Sequence, residues 1–156
     1  MSNFYLSIRS LGNLIGVDDR LVDLVHEAIK LTTMDFVVIE GVRTLEKQKL
    51  YVEKGVSWTL KSKHLTGDAV DLMALPTDGS DNWDIKNYYA IAEAMGKAAA
   101  NQNIKIKWGG NWLVKDLVRG LTVYSANELV AEYVANRRRL KKKIRLDGPH
   151  FELMER

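Results

Sequence analysis

The sequence contains no cysteine. Disulfide staples and thiolate chemistry are thereby excluded, and any metal must be held through nitrogen and oxygen. The absence says nothing of compartment, because a cysteine-free protein survives in oxidising and reducing surroundings alike. No apolar run approaches the roughly 18 residues needed to cross a bilayer, so no transmembrane helix is expected. The opening stretch MSNFYLSIRSLGNLIG lacks the order of basic start, long apolar centre and small-residue cleavage site, and no signal peptide is read in it. Internal repeats, low-complexity tracts and Pro/Gly-rich linkers are missing too. Histidine is scarce, with three in the chain: His26, His64 and His150.

What is present describes an ordinary globular chain. Its 156 residues suit one domain, 1–156, with a core of its own. Hydrophobic residues make up 46% and charged residues 28%, which excludes a disordered chain. The net charge of +3 is unevenly spread. Between Arg137 and Arg145 the run RRRLKKKIR has seven basic residues and no acidic one, so the remainder is net negative. Such a run reads either as a solvated helix face or as an anchor for a polyanion.

Asp18 or Asp19 can cap a helix in which Leu21, Leu24, Val25, Ala28 and Ile29 recur at helical spacing. MDFVVIE (34–40) is a β-branched run of strand type, closed by Gly41. Thr44 caps a short helix, LEKQKLYVEKG, that stops at Gly55. DAVDLMAL (68–75) reads as a second strand and 85–101 as a long helix. IKIKW (104–108) alternates like a strand, Ser125 opens an amphipathic helix that turns basic, and HFELM closes the chain as a strand. In that last strand His150 and Glu152 face away from Phe151 and Leu153. Regular βαβ alternation is absent, so the expected class is α+β.

His26 lies beside Glu27 with no ligand-like neighbour and is read as a surface or rim residue. His64 precedes the second strand in SKHLTGDAVDL, and Asp71 lies within that strand. Imidazole and carboxylate are ordinary zinc ligands, and a catalytic zinc commonly uses three protein ligands plus water. Gly67 permits the tight turn that folds this loop back on its strand. His150 in DGPHFEL offers a third ligand, and the Gly148-Pro149 turn can aim Asp147 back at the same point. Taken alone, the same residues also read as two unrelated polar positions and a strand-end carboxylate, and spacing by itself favours that reading.

Ser62-x-His64-x-x-Gly67-x-Ala69-x-Asp71, followed far downstream by Asp147-x-x-His150, resembles the signature of the LAS zinc metallopeptidases. Those comprise the lysostaphin-type, D-Ala-D-Ala and Sonic-hedgehog-like zinc folds. Within them the chain is similar to the D-Ala-D-Ala carboxypeptidase/VanY branch. SKHLTGDAVDLMA, WGGNW (108–112) and DGPHFEL look closest to phage L-alanyl-D-glutamate endopeptidases, which are endolysins. The resemblance implies a small, mainly antiparallel sheet with flanking helices. It implies a Zn2+ ion on His64, Asp71 and His150, with Asp147 as general base and Arg43 facing the substrate carbonyl or carboxylate. Ser62, Gln48, Trp108 and Trp112 would then contact substrate or line the cleft, Gln48 supporting Arg43. Trp108 and Trp112 also fit a core role, and Glu152 fits either a hydrogen bond to a ligand histidine or a solvated edge.

The implied substrate is the stem peptide of peptidoglycan, cut at L-Ala–D-Glu during host lysis. The implied protein is a monomer made in the host cytoplasm that reaches the wall through another factor, and no nucleic-acid partner is expected. The chain departs from the pattern at 113–146, an inserted basic amphipathic segment that would sit beside the cleft. Through Arg137–Arg145 it could take an anionic envelope component. A D,D-carboxypeptidase, a non-catalytic wall-binding module and a cationic membrane-active protein are the alternative readings.

Overall fold

The computed structural model describes residues 2–154. Its centre is a sheet of four strands, β1 (Phe36–Glu40), β2 (Ala69–Ala74), β3 (Ile106–Trp108) and β4 (His150–Leu153). They lie in the order β1-β2-β4-β3, and every neighbouring pair is antiparallel. The expected α+β class and antiparallel sheet are therefore what the chain adopts. Strand alternation decides the two faces. Val70, Leu72, Ala74, Phe151 and Leu153 are buried on one side, whereas Asp71 and Glu152 remain partly open on the other.

Among the described residues six α-helices accompany the sheet: α1 (Ile8–Asn13), α2 (Asp19–Leu31), α3 (Leu45–Glu53), α4 (Tyr89–Gln102), α5 (Leu117–Val123) and α6 (Ala126–Arg139). As expected, Asp18 caps α2 and Thr44 caps α3, each side chain accepting a backbone N–H of the first turn. Leu21, Leu24, Val25 and Ala28 of α2 share the core with Ile91, Ala92, Met95 and Ala99 of α4, and the two helices pack together. Ser125 opens α6 with a reciprocal capping box to Glu128. His26 is exposed, as its surroundings suggested.

Two helices, α1 and α5, have no counterpart in the sequence pattern. Helix α1 buries a serine and no apolar residue. Ser10 Oγ accepts from Val38 N at 2.9 Å and Asn13 Nδ2 donates to Val38 O at 2.8 Å. Polar side chains thus satisfy the outer backbone of edge strand β1 and cover it. Helices α5 and α6 pack on α4, and Leu117, Leu129 and Val130 belong to the same core cluster as the sheet. The apolar side of α6 is spent inside the protein, which leaves it little to insert into a bilayer. Among the described residues no helix is long and apolar enough to cross a membrane.

Candidate active site

Three local devices bring distant residues to one point. The first is the β2–β4 register, which sets Asp71 directly opposite His150 on the open face of the sheet. The second is the turn before β2. Instead of extending into the strand, Lys63–Thr66 forms a 3-10 turn capped by Ser62, whose hydroxyl accepts from His64 N at 3.3 Å. Gly67 ends it at φ +76°, where a Cβ would lie 2.6 Å from Gly16 O, so glycine is required there. The third is the Gly148-Pro149 turn, closed by His150 N donating to Asp147 O at 3.1 Å. Asp147 N donates to Gly109 O at 2.9 Å, which seats Asp147 on the end of β3.

The resulting cluster is His64, Asp71 and His150, whose ligand atoms all lie within 4.8 Å of one another. His64 Nε2 is 3.2 Å from Asp71 Oδ2, and His150 Nδ1 is 3.3 Å from Asp71 Oδ1. Ligands about 2.0–2.1 Å from a tetrahedral ion stand about 3.3 Å apart, so these separations suit a metal. The outer ring nitrogens are already engaged: His64 Nδ1 lies 2.7 Å from Gly41 O, and His150 Nε2 lies 2.9 Å from Glu152 Oε1. Donation there fixes the ring orientations, so that each inner nitrogen turns to the common point and can offer its lone pair to a metal once His150 gives up its extra proton. His64 Nε2 is buried and, despite its closeness to Asp71, makes no aligned hydrogen bond. A buried acceptor of that kind is costly unless something binds it. The donor set therefore fits a metal ion.

Electrostatics follow from burial and crowding. Burial opposes ionisation of Asp71, but the hydrogen bond from His150 and the close approach of both imidazoles overcome it and hold its carboxyl well below the usual range. Burial likewise opposes charge on His150, yet Asp71 and Glu152 outweigh it and raise His150 to about 10. Asp147 moves the other way: burial, then the Asp71 charge, pushes it up to about 6.

Arg43 is buried beside the cluster. Its Nε donates to Glu40 Oε1 at 2.5 Å and its Nη1 to Gln48 Oε1 at 2.6 Å, and Tyr51 lies under the guanidinium at 4.7 Å. The remaining Nη2 is 3.6 Å from Asp71 Oδ2. Gln48 is fully buried and acts on Arg43, with Nε2 bonded to Ser57 Oγ at 2.9 Å. It holds Arg43 in place and offers substrate no surface. A cleft of about 750 Å³ is lined by Arg43, Ser62, His64, Asp71, Trp112, Asp147 and His150 among others. Trp108 is not on that lining. It is 1% exposed, stacks on Phe151 at 6.3 Å and donates Nε1 to Gly148 O at 2.7 Å. The expectation that it lines the cleft gives way to a core role supporting the Gly148-Pro149 turn. Its alternation with Ile106 carried that signal, since both share one face of β3 while Lys107 faces the cleft. The sequence reading also missed Glu40 and Trp58, because their roles depend on partners brought in by folding.

Gly109 limits how Asp147 can sit. A Cβ there would stand 2.2 Å from Asp147 O. Gly109→Ala is expected to destabilise the fold by about 1–3 kcal/mol through forced backbone movement. Thermal unfolding should show the loss together with reduced cleavage; an unchanged melting temperature would contradict the close approach.

A sequence model of the phage L-alanyl-D-glutamate peptidase family matches residues 1–119. The L-alanyl-D-glutamate peptidase of Escherichia phage T5 is 30% identical over 114 residues, covering 70% of this chain and 82% of the relative. That of Listeria phage A118 is 27% identical over 115 residues, covering 72% of this chain but only 39% of the relative. In structure, the chain is similar to the Serratia marcescens L-Ala D-Glu endopeptidase ChiX, with a TM-score of 0.69 and 33% identity. That likeness covers 95% of this chain and 88% of the other, well beyond residue 119. The chain belongs to the phage L-alanyl-D-glutamate peptidase family.

Proposed function

We propose that this protein is a zinc-dependent endopeptidase that hydrolyses the L-Ala–D-Glu bond of peptidoglycan stem peptides and lyses a phage host. The observation that carries the reading is the buried, unbonded His64 Nε2, converging with Asp71 and His150 in a cleft that also holds Asp147. His64, Asp71 and His150 would hold the zinc, and nitrogen and oxygen donors in that number suit it. When bound, the ion supplies Lewis acidity and lowers the pKa of a water ligand towards about 7.

The chain's own groups do the rest. Asp147 takes a proton from the attacking water as its oxygen adds to the alanyl carbonyl carbon. The same carboxyl then returns the proton to the departing glutamate nitrogen as the C–N bond breaks. In the metal-free protein burial and the Asp71 charge raise this carboxyl to about 6, which favours its taking up a proton. Arg43 keeps Nη2 towards the cluster, where its fixed charge offsets the negative charge that grows on the carbonyl oxygen. Ser62 orients His64 and borders the cleft, and Trp112 forms part of its wall. Residues 1–156 act as one catalytic domain, with 113–146 supplying part of the cleft's rim.

Digestion of purified sacculi, followed by mass spectrometry with zinc and again with a chelator, tests the reading. New glutamate amino termini should appear only with zinc. Release of D-alanine instead would move the protein to carboxypeptidase chemistry, and intact sacculi under both conditions would sink the peptidase reading.

A further inference from the structure

The basic run does not stay on the outer surface; its end turns into the cleft. Arg137 Nε donates to Lys143 O at 2.8 Å, which folds the segment after α6 back on itself. Arg145 is then pinned at both backbone groups. Its N–H donates to Tyr133 Oη at 3.0 Å, and its carbonyl accepts from Trp112 Nε1 at 2.6 Å. The guanidinium lies 4.8 Å over the ring of Trp58. Trp58 meets Trp112 edge-on at 5.4 Å, and Trp112 stands 5.3 Å from the ring of His150. Three consecutive contacts thus tie this arginine to a residue of the metal cluster across the wall of one cleft.

Part of the charge in that cleft is matched, while Lys61, Lys107 and Lys143 also line it with no ion pair among the described residues. Glu40 and Asp71 face Arg43, and Glu152 faces His150 and Lys63. Arg145 has no carboxylate partner among the described residues. A guanidinium set over an indole face can still offer N–H edges, and that planar fork fits a carboxylate through two parallel bonds. Held at both ends of its backbone, it would lose less freedom on binding than an arginine on a loose tail.

The substrate, on the reading proposed above, supplies the complement. A glutamyl residue within a peptide uses one carboxyl for the chain and leaves the other free beside the scissile bond. An extended chain advances about 3.3–3.6 Å per residue, so a carboxylate on the next residue also comes within the span of the Trp58–Trp112 wall. We propose that Arg145 is a specificity residue, its guanidinium held on Trp58 and reading a free carboxylate of the stem peptide close to the cut.

The test uses the full zinc-loaded chain and three synthetic peptides. The first carries D-glutamate with lysine as the next residue. The second replaces glutamate by its α-amide, isoglutamine. The third keeps the amide but has diaminopimelate in place of lysine. Wild type should cleave the first with kcat/KM about tenfold or more above the second, chiefly through KM. Arg145→Met should bring that ratio close to about one, and Arg145→Lys should retain part of it, keeping the charge without the fork. A preference restored by diaminopimelate and lost in Arg145→Met would place the carboxylate one residue further on and still support the proposal. Equal wild-type rates on all three peptides would overturn it, as would an Arg145→Met variant that slows all three by one factor. If wild type cuts none of them, the peptidase reading fails, and Arg145 is then judged by calorimetric binding of the uncut peptides. Carboxylate-dependent affinity lost in Arg145→Met would support its role, and affinity indifferent to the carboxylate would reject it.

Discussion

Asp147→Asn is expected to cut kcat for stem-peptide cleavage by about 10²–10⁴-fold while zinc binding persists, because a positioned proton acceptor contributes on that scale. Asparagine keeps the shape and the Gly109 backbone pairing but cannot take a proton from water. The same change should make the metal-free fold more stable at neutral pH. The sign follows from the raised Asp147 pKa of about 6. Between the unfolded value near about 4 and the folded value, the folded chain binds more protons than the unfolded one, so stability is lost as pH rises through that window. Above it, wild type carries a buried carboxylate beside Asp71, and the amide does not. In activity the sign is reversed: cleavage by wild type should fall as pH drops through about 6, where Asp147 takes up its proton. A bound cation favours the charged carboxylate and would move that limb lower. Stopped assays across pH, with chemical denaturation of both metal-free proteins, read the two effects separately. Retained cleavage in Asp147→Asn would remove the residue from the mechanism.

How much of this was legible in the residues depends on the range over which each feature is decided. Strands β1, β2 and β4 and helices α2, α3 and α6 carry local signals, in alternation, capping residues and helical spacing, and folded as those signals predict. Helix α1 carries none, because what it buries is a serine whose partner, Val38, lies on another element. The Asp71–His150 pairing spans 79 residues and is fixed by sheet register, which no local pattern reports. The resemblance named that pair, and folding explains it. The resemblance also drew Trp108 towards the cleft, where plain alternation with Ile106 would have kept it in the core. Gln48 lies between these cases: its position near Arg43 was readable, but its complete burial depends on the 57–59 loop folding over it.

Loss of the metal should have the larger consequence of the two, since cleavage is expected to disappear in excess chelator and return with zinc. A readout independent of activity makes the site itself testable. A ligand that binds only the folded state stabilises it by about 2.7 kcal/mol at a hundredfold excess over its dissociation constant. Zinc should therefore raise the melting temperature of wild type and leave His64→Ala nearly unmoved. In the metal-free protein His150 is held protonated at neutral pH by Asp71 and Glu152, with its pKa raised to about 10. Its contribution to metal-free stability is complete below the unfolded value of about 6.5 and is lost as pH rises through about 10. Zinc needs the neutral ring, so binding must release that proton, and zinc affinity should weaken steadily as pH falls below 10. Calorimetry in buffers of different ionisation enthalpy counts the protons released. Release of about one proton near pH 7 fits a His150 that starts charged. Binding without release, or a zinc-induced rise in melting temperature that survives His64→Ala, would mean that the ion sits elsewhere.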